Sequence, residues 1–443
     1  MMVAGIQEFK MLPLQEMASD QRITTREINT ARTVQAVWEE TRPPAWVKLI
    51  IACGNELRRY GVCWPKLSAE ALMASARRRT LLSDFGDDHF REGLQVLVDS
   101  FNAQDTAHSF GRLVFREHLT NLLVDRLKIQ DELNRHPEIL KVPVDRPLFI
   151  TGLPRSGTTL LHRLMSEDPA CRTMLHWEAM EPAPSPELDT YKTDPRILRT
   201  RLKLALMDRI APGIRRAHEF DAESPEEDND LQFRTFTTGV FGFLYDVPDF
   251  VRWGWDRDFN PTYVYTRQQL QLLSWKYRAN YWVLKAPSHI FTLQSLLAVF
   301  PDANIVLTHR NPRQVIASLC SLQAGIRGTL MDRPDLHRLG AECLETLCIG
   351  AERALEFRRR FNTACYFDVH YERLVTDPVE TVRSICRYFG YDFSAEYEAR
   401  ARRRLAANPQ DKHGAHRYCL EDFGLDQARV ERAFAGYIEL LPT

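Results

Sequence analysis

From Arg146 to Met165 the chain reads Arg-Pro-Leu-Phe-Ile-Thr-Gly-Leu-Pro-Arg-Ser-Gly-Thr-Thr-Leu-Leu-His-Arg-Leu-Met, and this stretch narrows the choice of fold more than any other. Phe149 and Ile150 lie in an apolar run of strand type. Gly152 and Gly157 permit sharp backbone turns. Leu160, Leu161, Leu164 and Met165 then recur at helical spacing. Two glycines so placed match a G-x-x-x-x-G phosphate loop, whose backbone amides converge on an anion at a helix N-terminus. A triphosphate-binding loop would continue Gly-Lys-Ser or Gly-Lys-Thr, but this one continues Gly157-Thr158-Thr159, leaving Arg155 as the nearest cation. The same glycines also suit an ordinary strand-to-helix turn. If the loop holds phosphate, the missing lysine argues against nucleoside triphosphates.

The chain of 443 residues has room for two domains or for one large domain with an extension, and 44% hydrophobic residues suffice for a core. A formal net charge of -1 gives no global field toward nucleic acid, so any anion site must come from local clustering. Nine cysteines without a C-x-x-C pair read as buried thiols in a reducing, cytoplasmic setting. No run of about 20 apolar residues is present, so no membrane span is expected.

Before Asp145 no phosphate loop, metal spacing or catalytic constellation is found. Phe90, Leu94, Leu97 and Phe101 share one helix face, and a second helical pattern runs from Ser109 to Leu133 before His136-Pro137 ends it. Residues 1–144 therefore read as an all-helical N-terminal region that packs on a catalytic domain spanning 145–443, shaping an acceptor pocket or a subunit contact. Ser224-Pro225-Glu226-Glu227 has the form of a capping box with proline at the first helical position, which predicts a helix start there.

Three further strand-type runs follow, Tyr281–Leu284, Ile305–Thr308 and Cys365–Val369, each leading into a helical stretch. With the run at 148–151 they predict an α/β fold, a parallel sheet flanked by helices. Ligands of such sheets bind outside the carboxyl ends of the strands. The loops of interest are thus 155–159, 285–289, 310–318 and 370–371. In the third, Arg310 stands at a strand tip and Ser318 two turns along the next helix, positions that suit a clamp on a second phosphate. An arginine paired to a local carboxylate and a small packing serine would look the same in sequence.

Leu153-Pro-Arg-Ser-Gly-Thr-Thr159 and Thr308-His-Arg-Asn-Pro-Arg313 with Ser318 together resemble a sulfotransferase of the P-loop-related fold that uses 3′-phosphoadenosine-5′-phosphosulfate (PAPS). The resemblance is to the bacterial branch related to tyrosylprotein sulfotransferases, and it covers roughly Pro147 to Leu425. It implies that Arg155, Ser156, Gly157, Thr158 and Thr159 grip the 5′-phosphosulfate and that Arg310 and Ser318 hold the 3′-phosphate. It further implies nucleotide contacts from Tyr371 and from Arg417 and Tyr418 in the final loop. Lys285, at a strand tip, resembles the family's catalytic lysine, and Glu178 in His176-Trp177-Glu178 stands where the tyrosylprotein branch has its base. His176 and His218 are the alternative bases. Glu226 and Glu227 are accounted for as first-turn helix residues.

Sulfuryl transfer needs in-line placement and stabilisation of the leaving phosphate, tasks that cations and amides perform without a metal. The resemblance accordingly implies a PAPS-dependent enzyme without a metal, acting on a hydroxyl or amine of a small-molecule or lipid acceptor. A P-loop kinase or NTPase would require a lysine at position 158 and a magnesium-holding acid at a strand end; neither is seen. A binding protein without turnover would require Lys285 and the base to be dispensable. The sequence leaves the acceptor open, and a homodimer as well.

Overall fold

The computed structural model describes residues 43–210, 221–361, 363–407, 420–439 and 441. His218, Arg417 and Tyr418 lie outside these described residues.

Among the described residues four α-helices precede the sheet: α1 (Ala45–Arg59), α2 (Ala69–Thr80), α3 (Phe90–Gln104) and α4 (Ser109–Arg135). Ser68 caps α2 by accepting from the Ala71 amide at 3.2 Å. On α3, Phe90, Leu94, Leu97 and Phe101 are all buried, as their spacing predicts. These helices do not make their core alone. Phe236, Phe241 and Phe250, from the chain beyond the first strand, complete the same apolar cluster.

The sheet begins at β1 (Leu148–Gly152), which leads through the glycine loop into α5 (Thr158–Met165). Next come β2 (Cys171–Arg172), α6 (His176–Met180), α7 (Pro195–Ile210), α8 (Asn229–Phe233), α9 (Val240–Leu244), α10 (Pro248–Gly254) and α11 (Asn260–Ser274). The chain then forms β3 (Tyr281–Lys285), α12 (Leu293–Val299), β4 (Asn304–His309), α13 (Pro312–Gly328), α14 (Leu336–Arg360) and β5 (Tyr366–His370). Helices α15 (Tyr371–Thr376), α16 (Pro378–Phe389) and α17 (Ala395–Ala407) follow.

The five strands are parallel in the order β2-β3-β1-β4-β5. The predicted strands are all present, and the sheet gains β2, whose two residues are too few to leave a pattern. Every residue of β1, β3 and β4 is buried, the signature of strands covered on both faces. Phe149 faces a cluster with α11 and α12, whereas Leu148 and Ile150 face α5, α16 and α17. Among the described residues no helix is long and apolar enough to cross a membrane.

One local expectation failed. The capping-box pattern at 224–227 does not start a helix; α8 begins at Asn229. The backbone of 224–226 instead pairs with the segment entering α6: the His176 amide donates to Ser224 O at 3.1 Å and the Glu226 amide to Met174 O at 2.9 Å. Once a neighbouring chain satisfies those backbone groups, the helical alternative has nothing to add.

Candidate active site

The loop after β1 is tightly determined. Gly152 has φ +148°, and a Cβ there would lie 2.3 Å from Thr308 O. Gly157 has φ +91°, and a Cβ would stand 2.9 Å from Leu374 Cδ2. Arg155 itself adopts φ +66°, the kind of backbone strain that concentrates at ligand-holding loops. Ser156 departs from its expected role. Its buried hydroxyl donates to Leu153 O at 2.5 Å and meets Thr308 Oγ1 at 2.5 Å, so its side chain staples the loop to β4. What remains for an anion is the N-terminus of α5, where the first-turn amides lack intrahelical acceptors, with Thr158, Thr159 and the Arg155 guanidinium around it.

The loop after β4 meets the first one directly. Asn311 caps α13 by accepting from the Arg313 amide at 3.1 Å, with Pro312 in the first turn. Arg310 is thereby left at the strand tip, where its Nη1 donates to Arg155 O at 2.8 Å. Its guanidinium carbon lies 3.9 Å from the centre of the Tyr371 ring. Ser318 accepts from Arg155 Nε at 3.2 Å. Arg155, expected at one phosphate, Arg310 and Ser318, expected at the other, and Tyr371, expected on the nucleotide, therefore lie side by side.

Lys285, the last residue of β3, is buried. Its Nζ donates to Glu227 Oε1 at 2.5 Å and reaches Thr159 Oγ1 at 3.5 Å. The pairing of 224–226 with the segment entering α6 is what brings Glu227 here; a helix start would have placed it in the first turn of that helix. Asn229 Nδ2 steadies the same carboxylate at 2.8 Å.

Beside this pair, His176 Nδ1 lies 2.8 Å from Glu226 Oε2. Burial alone would lower the pKa of the ring, but the hydrogen bond and charge of Glu226, with Asp230 and Asp221, outweigh it and raise it. A ring whose pKa is raised spends more of its time protonated, and in that form it cannot accept a proton. The pair stabilises the fold fully below the ordinary histidine pKa of about 6.5, and that contribution fades as pH rises through the raised value.

Glu178 does not face the cavity. It is fully buried on α6, paired with Arg172, and accepts from the Leu175 amide at 3.0 Å. The expectation of a base at this position gives way to a structural pair, because the helix turns the side chain inward onto β2. Glu178→Gln is expected to destabilise the protein by about 3 kcal/mol, since half of a buried ion pair would be left uncompensated. Turnover per folded molecule should change little. Denaturant unfolding compared with initial rates checks this, and a rate loss beyond the unfolded fraction would return Glu178 to the mechanism.

Several of these groups line a cavity of about 1320 Å³, with Lys285 behind its wall on Glu227 and Thr159. At one end stand Arg155, Thr158, Thr159, Arg310, Tyr371, Glu227 and His176. Arg163 on α5 and Arg404 on α17 border it too, cations that helical periodicity hid among surface arginines. The rest of the wall is mainly apolar, with Phe233, Phe243, Phe250, Trp255, Phe291 and Ile326, and α4 contributes His118.

Known proteins resemble this chain over most of its described length. A model of the sulfotransferase family matches residues 147–395. The crystal structure of sulfotransferase STF1 from Mycobacterium tuberculosis H37Rv aligns with a TM-score of 0.76 at 33% identity, covering 84% of this chain and 99% of that one. STF9 from Mycobacterium avium aligns with a TM-score of 0.78 at 31% identity, covering 86% and 98%. The omega-hydroxy-beta-dihydromenaquinone-9 sulfotransferase Stf3 of Mycobacterium bovis is 24% identical over 291 residues, 63% of this chain and 72% of that protein.

Proposed function

The chain belongs to the sulfotransferase family, and on that premise we propose that it takes the sulfuryl group from PAPS and passes it to a hydroxyl or amine of a small-molecule or lipid acceptor. The observation that carries this reading is the position of Lys285, whose ammonium touches both the phosphate loop, at Thr159, and the cavity carboxylate of Glu227. A donor phosphosulfate gripped by the α5 N-terminus would have its bridging oxygen next to that ammonium.

In this mechanism the acceptor oxygen or nitrogen forms a bond to sulfur while the bond from sulfur to the 5′-phosphate oxygen breaks. Glu227 takes the acceptor proton, replacing Glu178 as the proposed base, and Lys285 neutralises or protonates the departing oxygen. Arg155 and the loop amides at Gly157, Thr158 and Thr159 hold the 5′ end. Arg310, Ser318 and Tyr371 hold the 3′-phosphate side, and Ser156 keeps the loop in shape. Geometry supplies the rest, since a loose transition state gains chiefly from in-line placement.

The apolar part of the cavity supports an acceptor with a hydrophobic body. That the relative Stf3 is named for a hydroxylated menaquinone accords with this. We assign residues 145–443 the donor site and the catalytic groups, and the helical region before them a share of the acceptor wall. The described cysteines are free thiols, in keeping with a reducing compartment such as the cytoplasm.

Calorimetry with 3′-phosphoadenosine-5′-phosphate (PAP) against ATP tests the donor. PAP should bind at least tenfold more tightly, about 1.4 kcal/mol, with no dependence on magnesium. A preference for magnesium-ATP would overturn the reading.

A further inference from the structure

His118 on α4 has a place in the cavity that transfer chemistry does not use. Its ring is packed by Phe233, Phe241 and Tyr245, with centroids 5.4, 6.0 and 5.9 Å away. Nδ1 lies 2.8 Å from the Tyr245 hydroxyl, and the ring lines the cavity.

The protonation pattern follows from the partners. Tyr245 is buried, and its hydroxyl has no other hydrogen-bond partner among the described residues. A buried phenol needs an acceptor for its proton, so Tyr245 donates and Nδ1 accepts. Burial, with Arg234 nearby, lowers the pKa of His118 to about 4, so the ring is neutral and its single proton rests on Nε2. Among the described residues Nε2 has no hydrogen-bond acceptor, and the accessible part of the ring opens on the cavity. His118 is half-buried, so its Nε2–H is open to the cavity and available to an oxygen of whatever ligand displaces the water there.

We propose that His118 is a specificity-determining residue, whose Nε2–H donates to a carbonyl oxygen on the body of an otherwise apolar acceptor, away from the group that is sulfated. The proposal rests on reading this cavity as the acceptor site. It also gives the N-terminal helices a function, since only α4 brings this donor to the catalytic half. A purely hydrocarbon acceptor would leave the Nε2–H unpaired and bind more weakly.

The probes are hexadecan-1-ol and a series of keto-hexadecan-1-ols with the ketone walked along the chain, each assayed for sulfation with PAPS. Wild-type enzyme should favour at least one ketone position by about fivefold to tenfold in kcat/KM, carried mainly by KM, the size of one hydrogen bond. His118→Phe should abolish that preference, and His118→Gln, which keeps an N–H donor, should restore part of it. PAP affinity should be unchanged in both, which also verifies their folding. A ketone preference that survives in His118→Phe, no preference at any position in wild type, or no sulfation of any probe by an enzyme that binds PAP would each overturn the inference and leave the donor reading standing. Failure of wild type to bind PAP would instead remove the donor reading, and this inference with it.

Discussion

Lys285→Ala is expected to lower kcat by about 10³-fold while PAP still binds, at the upper end of what removal of one preorganised charge-stabilising donor costs. The size of the effect comes from burial. Lys285 is only 2% exposed, so its charge acts on the leaving phosphate through a medium that screens far less than water. Its position is held from two sides, by Glu227 Oε1 at 2.5 Å and by the strand that ends on it. Lys285→Arg should not restore the rate, because a planar guanidinium cannot occupy the place of a compact ammonium between Thr159 and Glu227. Single-turnover rates with PAPS, set beside PAP affinity by calorimetry, separate chemistry from binding. A kcat within tenfold of wild type would remove Lys285 from the transfer step.

Glu227→Gln should lower kcat/KM by about 10²- to 10⁴-fold, the usual contribution of a general base. The amide is nearly isosteric and its oxygen can still accept from Lys285, while its NH2 faces Asn229 Nδ2 in place of the second carboxylate oxygen, so the site loses the proton acceptor and one hydrogen bond. PAP affinity is expected to stay near that of wild type. His176→Asn makes the necessary contrast. His176 bonds Glu226 rather than Lys285 and so stands outside the pair that faces the phosphate loop, and its loss should cost about tenfold or less. The reverse pattern, an active Glu227→Gln beside a dead His176→Asn, would transfer the base to the histidine.

Much of the framework of this site is legible in the sequence. The apolar runs of β1, β3 and β4 read as strands because both faces of each are buried, which removes polar alternation from the sequence. Strands of one parallel sheet share a carboxyl edge, so Arg155, Lys285, Arg310 and Tyr371 could be expected at a common place. In the structure Arg310 lies over the Tyr371 ring and donates to the Arg155 carbonyl, and Lys285 reaches Thr159 of the same loop. The roles of individual hydroxyls were less visible. Ser156 belongs to the motif, yet its oxygen is consumed by Leu153 O and Thr308.

The carboxylates show where local reading ends. Glu178 follows the first helix at the expected distance in sequence, but the distance says nothing of Arg172, which takes it into the interior. Glu226 and Glu227 carry a strong local signal for a helix start. That signal lost to backbone pairing with residues 174–176, a long-range contact that periodicity does not encode. His118 was hidden in a similar way, as one more position in a helix rich in apolar residues.

The sequence by itself determined the parallel sheet, the glycine loop with its missing lysine, and the cations at the strand tips, because strand burial, φ requirements and strand polarity are written in neighbouring residues. Only the tertiary structure decided which acid meets Lys285. Glu227 stands 58 positions from it along the chain, and a pairing across that separation is selected by how segments pack, not by the residues beside either partner.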